Sequence, residues 1–381
     1  MIDFNDEILL PTGDVADFAA VACDQFAADP EYWNTRAAEM PPFSALDFIL
    51  PECFLSDSEK RIAAIRRAAA DVPSERFTKV HGAVYVTRKT CYGRVRHGVV
   101  ASIDLFDYDY KPGSQTLVRA SERTIEERIP PRVKIREAID FEMPHIMLLV
   151  DDPDDLLMSA CRNAKKRTVY DGELNGNGGH ITGELIENTS ALDIAVNKII
   201  DSSVNKFGTR LFALVGDGNH SLATAKFCSL NNPTSLNQKA LVEIVNIYDD
   251  GLVFEPIHRL VKTDSAKKFA DGLRSAITGD SAATLYMPEP VTISVPSDKI
   301  EAITAIDRFC EDYVKGNGGY IEYVHGTDKL CQRGYVGIEM RGIQKSELFM
   351  YVVKNGVLPK KTFSLGEAEE KRYYIECRKI K

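Results

Sequence analysis

Residues 212–225 read Phe-Ala-Leu-Val-Gly-Asp-Gly-Asn-His-Ser-Leu-Ala-Thr-Ala. The run 211–215 is wholly apolar, so a strand here has to be covered on both faces. Gly216 and Gly218 break it, and a helical pattern follows over 221–228. A buried strand that turns at once into a helix belongs to a layered architecture of sheet and helices.

The rest of the chain fits that frame. Ser56 and Glu59 have capping-box spacing, which predicts a helix over 56–70. Alternation over 77–87 and 95–106, around Tyr92-Gly93, predicts a β-hairpin. Strands are expected at 44–50, 145–150, 211–215, 241–248, 252–261, 291–295 and 319–324. Helices are expected at 153–166, 190–206, 264–277 and 298–315, and the Gly-rich segment 175–179 reads as a turn. Strands and helices alternate, yet hairpins come early. The expected class is therefore α+β, or mixed α/β with mixed sheets. Residues 279–290 are the best boundary candidate, giving a main domain over 1–278 and a C-terminal portion over 279–381.

Lys and Arg number 47 against 56 Asp and Glu, a net charge of −9. That balance argues against a nucleic-acid partner, whose phosphates demand a basic surface. The eight cysteines form no CxxC pair and read as reduced thiols of a cytoplasmic protein. The start of the chain carries Asp3, Asp6 and Glu7 and no basic region, unlike a signal peptide. No apolar run is long enough to span a bilayer.

Three segments carry candidate chemistry. At 216–221, the glycines let backbone approach a ligand, and the following helix start offers amides and a positive dipole end to phosphate. Asp217 could hold a Mg²⁺ there, with Asn219 and His220 donating to phosphate oxygens. The Lys-Ser/Thr of a Walker loop is absent. An Asp-Gly turn capped by Asn219 or Ser221 accounts for the same residues.

The second segment, 119–136, packs six cations into an acidic chain: Arg119, Arg123, Arg128, Arg132, Lys134 and Arg136. Arginine forks suit phosphate oxygens, although a solvated helix with Glu–Arg pairs has the same composition. Pro130-Pro131 is expected to break such a helix. The third segment is the basic tail from Leu358, with Lys360, Lys361, Lys371 and Arg372. Asp24, His180 and His325 stand alone, and the histidines lack metal-site spacing.

These segments resemble a bacterial and archaeal family catalogued as domain-of-unknown-function family 1015. The likeness rests on CDQF at 23–26, FILPE at 48–52, RASERTIEERIPPRVKIR at 119–136, GDGNHSLATAK at 216–226, YVHG at 323–326 and LPKKTFSLGEAEEKRYYIECRKI at 358–380. Some members of the family look like free-serine kinases, and pyrophosphate is associated with such kinases as donor. The turn is also similar to the phosphate loop of ParB/sulfiredoxin-like proteins. The chain departs from the pattern at two places. Ser221 stands where most members have arginine, and Ser121-Glu122 where many have His-Glu.

The resemblance implies a cytoplasmic kinase that moves a phosphoryl group from pyrophosphate to free L-serine, with Mg²⁺. An ATP- or ADP-dependent kinase of serine or another small alcohol remains open, as does a non-catalytic phosphate- or nucleotide-binding regulator. In the kinase reading Glu122 or Asp24 is the catalytic base and Asp217 lies near the metal. Arg119, Arg123, Arg128 and Arg132 clamp the donor, and Gly216, Gly218, Asn219, His220 and Ser221 cradle it. His325, Lys360, Lys361, Lys371 and Arg372 complete the pocket.

Overall fold

A computed structural model describes residues 1–26 and 29–381. The chain divides into two compact units, Met1–Leu252 with Ala368–Lys381, and Val253–Glu367. The second is thus an insertion in the first. The division differs from the one expected from sequence: Gly279 lies between the helix Ala266–Ala276 and the strand Ser281–Tyr286, inside the second unit.

The first unit is built on a ten-stranded mixed sheet. Its order is Lys166–Leu174, Gly179–Ile186, Ala83–Lys89, Val95–Asp104, Lys239–Asn246, Met147–Val150, Ala213–Asp217, Val118–Ala120 and Tyr108–Asp109, with Ile2–Asp3 beside Val95–Asp104. Met147–Val150 runs parallel to Lys239–Asn246, and Ala213–Asp217 parallel to Val118–Ala120. The alternation of β-strand side chains sorts residues between two cores. Val99, Ala101, Ile103, Val242 and Ile244 face one core, with helices Leu156–Asn163, Ser190–Phe207 and Asn219–Asn231 contributing. Val84, Val86, Val100 and Leu241 face the other, which is filled by Phe18, Trp33, Phe48, Phe141 and the C-terminal Tyr373, Tyr374 and Cys377.

The hairpin, the Gly-rich turn and the helices at 56–70 and 190–206 form within a few residues of expectation. Four local differences have clear causes. Segment 44–50 is not a strand: Ser44 and Asp47 close a capping box around the 3₁₀ turn Ala45–Asp47. The strand expected over 77–87 divides at Gly82, whose φ of +138° turns the chain out of one pairing and into another. The helix expected over 153–166 is shorter, Leu156–Asn163, and Lys166 already begins a strand. Pro130 and Pro131 do not break a helix but open one, Ile129–Arg136, at the positions where a missing N–H costs nothing.

The second unit holds a five-stranded antiparallel sheet in the order Val291–Val295, Ser281–Tyr286, Tyr335–Ile338, His258–Lys262 and Tyr320–Val324. Helices Ala266–Ala276 and Lys299–Asn317 pack together, with Phe269 edge-on to Phe309 and Tyr313. Fully buried Arg259 bonds Asp307 through two nitrogens at 2.7 and 2.9 Å. The unit's two ends are tied by the ribbon Phe254–Pro256 with Phe363–Leu365. Among the described residues, no helix is long and apolar enough to cross a membrane. All eight cysteines are unpaired.

Candidate functional site

The strand Ala213–Asp217 ends at Gly218, which has φ +77° and caps the helix Asn219–Asn231. A Cβ at 218 would lie 2.9 Å from the Ile146 Cα, so both the backbone angle and the close approach require glycine. Leu222 N–H makes the first bond of the helix, to Gly218 O at 3.0 Å. The amides of 219–221 therefore precede the intrahelical ladder, at the positive end of the dipole.

Both oxygens of Asp217 are engaged. Oδ1 accepts Gly218 N–H at 2.8 Å, and Oδ2 lies 3.0 Å from the Lys371 ammonium. This bears on the metal expected at Asp217. A Mg²⁺ there would have to displace an ammonium already in the cation position, and no group of three His, Cys, Asp or Glu among the described residues is placed to hold a metal. The residues as arranged do not fit a metal at Asp217. Lys371 supplies the positive charge there.

Around the turn, Ile125 N–H donates to His220 Nε2 at 3.2 Å, holding the loop after Glu122 against the helix. The Asn219 Oδ1 is buried without a hydrogen-bond partner. Ser121 donates to Val215 O. Val118–Ala120 runs parallel to Ala213–Asp217 with Ala120 opposite Val215, so Glu122 leaves the sheet on the same edge as Asp217.

On the other flank Ser221 Oγ lies 3.4 Å from His145 Nε2, and His145 Nδ1 lies 2.9 Å from Tyr374 Oη. The phenol oxygen also accepts Cys23 N–H at 3.2 Å. Burial pushes the Cys23 thiol up to about 12, with the Asp24 charge adding to it. Burial, then the neighbouring Cys23, carries the Tyr374 phenol well above its ordinary range. Asp24 itself accepts from Gln25 Nε2 at 3.1 Å. Ser221, His145, Tyr374 and Cys23 line a cavity of about 130 Å³, with apolar walls that include Ile49, Leu55, Ile135 and Ile139. Glu52 and Arg132, an ion pair, also line it.

The remaining expected residues fall into three groups. Arg132 is at the cavity, and Arg123 and Arg128 are exposed near it in sequence. Arg119 and Arg372 are not available to a ligand. Arg119, 4% exposed, donates to Thr116 O and Thr209 Oγ1 at 2.9 Å and to Arg210 O at 3.2 Å. Arg372 lies between Glu243 at 2.9 Å and Glu376 at 2.7 Å and also donates to Pro144 O. Both are buried structural cations, not phosphate ligands. Finally, His325, Lys360 and Lys361 belong to the second unit. Lys360 pairs with Glu311 there at 2.8 Å, and Lys361 O accepts from Arg259 at 3.0 Å.

Sequence reasoning missed His145, Tyr374 and Glu52 as site residues. Tyr374 and Glu52 lie within the motifs at 358–380 and 48–52, while His145 stands just before a buried strand with nothing local to single it out.

These features define a mixed α/β protein organised around a strand–turn–helix. The chain belongs to the family described as protein of unknown function (DUF1015), whose model matches residues 6–367. No curated protein matches it in sequence. Similar solved structures include a free serine kinase in complex with AMP, at 11% identity, covering 74% of this chain and 91% of that one with a TM-score of 0.41. A conserved hypothetical protein from Pyrococcus furiosus shares 12% identity over 72% of this chain and 90% of its own, TM-score 0.38. C-terminally truncated SbnI from Staphylococcus aureus shares 11% over 72% and 82%, TM-score 0.38. These are loose likenesses in fold.

Proposed function

We propose that the protein is a small-molecule kinase that transfers a phosphoryl group to an alcohol, with pyrophosphate as donor and free L-serine as acceptor. The observation that carries the reading is the turn at 216–221. There a glycine-capped helix start, whose first amides precede the intrahelical ladder, meets the Lys371 ammonium beside a cavity of about 130 Å³. Phosphoryl transfer asks a protein mainly to position reactants and to neutralise charge, and these groups do both. Serine and pyrophosphate come from the family resemblance.

In this reading the amides of 219–221 and Lys371 hold the donor, with Arg132 at the cavity and exposed Arg123 and Arg128 drawing the anion in. Glu122, beside the turn, or Asp24, beside Cys23, takes the acceptor's hydroxyl proton. The test is incubation with L-serine and Mg²⁺ and with pyrophosphate, ATP or ADP in turn, read by phosphorus NMR. Phosphoserine from pyrophosphate is the expected product. Product from ATP or ADP alone would change the donor, and no product from any donor would remove the kinase reading. Glu122→Gln and Asp24→Asn then identify the base, whose loss lowers kcat by about 10²-fold or more.

A further inference from the structure

We propose that Ser221 is a nucleophile that carries the phosphoryl group covalently between donor and acceptor, an inference that rests on the kinase reading above. Its support is a relay of four residues from four distant parts of the chain: Ser221, His145, Tyr374 and Cys23. Ser221 Oγ lies 3.4 Å from His145 Nε2, and Tyr374 Oη lies 2.9 Å from His145 Nδ1.

The relay takes His145 as the tautomer with its proton on Nδ1, 2.9 Å from Tyr374 Oη. That oxygen accepts the Nδ1–H together with the Cys23 N–H at 3.2 Å. The Nε2 lone pair is left facing the Ser221 hydroxyl. A nucleophile, a base within reach and a third group orienting the base form the arrangement that activates a serine.

The surroundings suit a phosphate ester on Ser221. The residue lies in the first turn of the helix that Gly218 caps, where amides and dipole favour a dianion. It faces the cavity of about 130 Å³ beside His145. Cys23, the other nucleophilic atom there, is a buried thiol that stays protonated at neutral pH.

Ser221 Oγ bonds to the terminal phosphorus of pyrophosphate, and the bridging P–O bond breaks. The hydroxyl proton passes to His145 Nε2 and on to the departing phosphate. The acceptor oxygen then bonds to that phosphorus, the Oγ–P bond breaks, and the acceptor's proton, taken by the base of the site, returns to Oγ. No oxidant or further reactant is needed.

Two probes test this on the full chain. Diisopropyl fluorophosphate, a P–F electrophile, reports the nucleophile without requiring kinase activity. Labelled pyrophosphate, ATP and ADP, each without acceptor, report the phosphoenzyme. Peptide mass spectrometry should place both adducts on Ser221, and Ser221→Ala should abolish them. His145→Gln should slow fluorophosphate labelling about 10²-fold, and Tyr374→Phe should shift its pH profile, with circular dichroism verifying the fold of each variant. Serine phosphorylation by Ser221→Ala at the unaltered rate, with no adduct on Ser221 in the parent protein, would overturn the proposal and leave the kinase standing. Fluorophosphate labelling with no transfer from any donor would overturn the kinase reading and the phosphoenzyme together.

Discussion

The Lys371 ammonium lies 3.0 Å from the Asp217 carboxylate, fastening the C-terminal segment to the turn that opens the helix Asn219–Asn231. Their side chains keep 8% and 17% of their exposure, so the pair is largely shielded from solvent. Lys371→Met removes the ammonium that meets Asp217 and leaves a shielded carboxylate beside the expected position of the donor. A charged hydrogen bond contributes about 1.5–3 kcal/mol, so KM for pyrophosphate should rise roughly 10- to 100-fold. Lys371→Arg should recover part of it. Donor titration at fixed serine measures this, and an unchanged KM in a folded Lys371→Met would take the residue out of the donor site.

Arg372, the adjacent residue, should behave differently. It lies between Glu243 and Glu376 with 4% of its side chain exposed. Arg372→Met takes the Arg372 cation from buried Glu376 and leaves Glu243 to Arg96 at 3.5 Å, and should cost about 3–5 kcal/mol of stability, as breaking a buried pair does. Thermal or urea denaturation gives the number. A variant of normal stability that has lost only activity would contradict the structural role.

A third expectation separates arginines within 119–136. Arg119→Gln should lower stability, because its guanidinium bonds two backbone carbonyls and Thr209 in the segments flanking its strand. Exposed Arg123 and Arg128, replaced together by Gln, should leave stability almost unchanged and raise KM for pyrophosphate, more at low salt than at high. Denaturation midpoints and donor KM at two ionic strengths distinguish the two behaviours.

Gly218→Ala tests the turn. The left-handed backbone alone costs a non-glycine residue about 1–2 kcal/mol, and the added Cβ meets the Ile146 backbone at 2.9 Å. The variant should lose stability by at least that amount and bind donor less tightly. A denaturation midpoint equal to the parent's would mean that the turn relaxes freely.

The second unit should be sensitive to mild acid through His258. Burial lowers its pKa from the ordinary 6.5, Glu339 opposes that shift and Arg259 adds to it. Its Nδ1 accepts Met340 N–H at 3.0 Å, a bond that the neutral ring makes. The unfolded chain therefore binds the proton more readily than the fold does. Stability is full above pH 6.5 and falls as the pH drops below it toward the lowered folded value. Hydrogen exchange of the strand His258–Lys262 should accelerate over that range, and His258→Asn should flatten the dependence.

The strand–turn–helix was legible because its signals are local: an apolar run, two glycines and a helix start within a few residues. The family motifs likewise marked Cys23, Glu52 and Tyr374 as belonging to special segments. Their partners were not legible. Asp217 and Lys371 are 154 positions apart, and His145 and Tyr374 are 229 apart. Spacing carries no information across such distances. Arg119 and Arg372 misled for a related reason. A charged residue read alone is taken as solvated or ligand-seeking, whereas carbonyls and carboxylates from elsewhere in the chain enclose both. Segment 44–50 reads as a strand from its largely apolar composition, and the capping pair Ser44 and Asp47 outweighs that.

The C-terminal segment reaches the first unit only after the whole of Val253–Glu367 has been traversed. Arg88, buried in the sheet, then bonds the backbone carbonyls of Glu369, Glu370 and Lys371. For a flexible connection of that length, bringing the ends together would cost about 4 kcal/mol in loop entropy. The ribbon Phe254–Pro256 with Phe363–Leu365 joins those ends whenever the second unit is folded. Folding of the insertion therefore removes most of the search that Lys371 and Tyr374 would otherwise make. A lesion within the second unit, such as loss of the Arg259–Asp307 bonds, should then act on the turn as a dilution of its missing half.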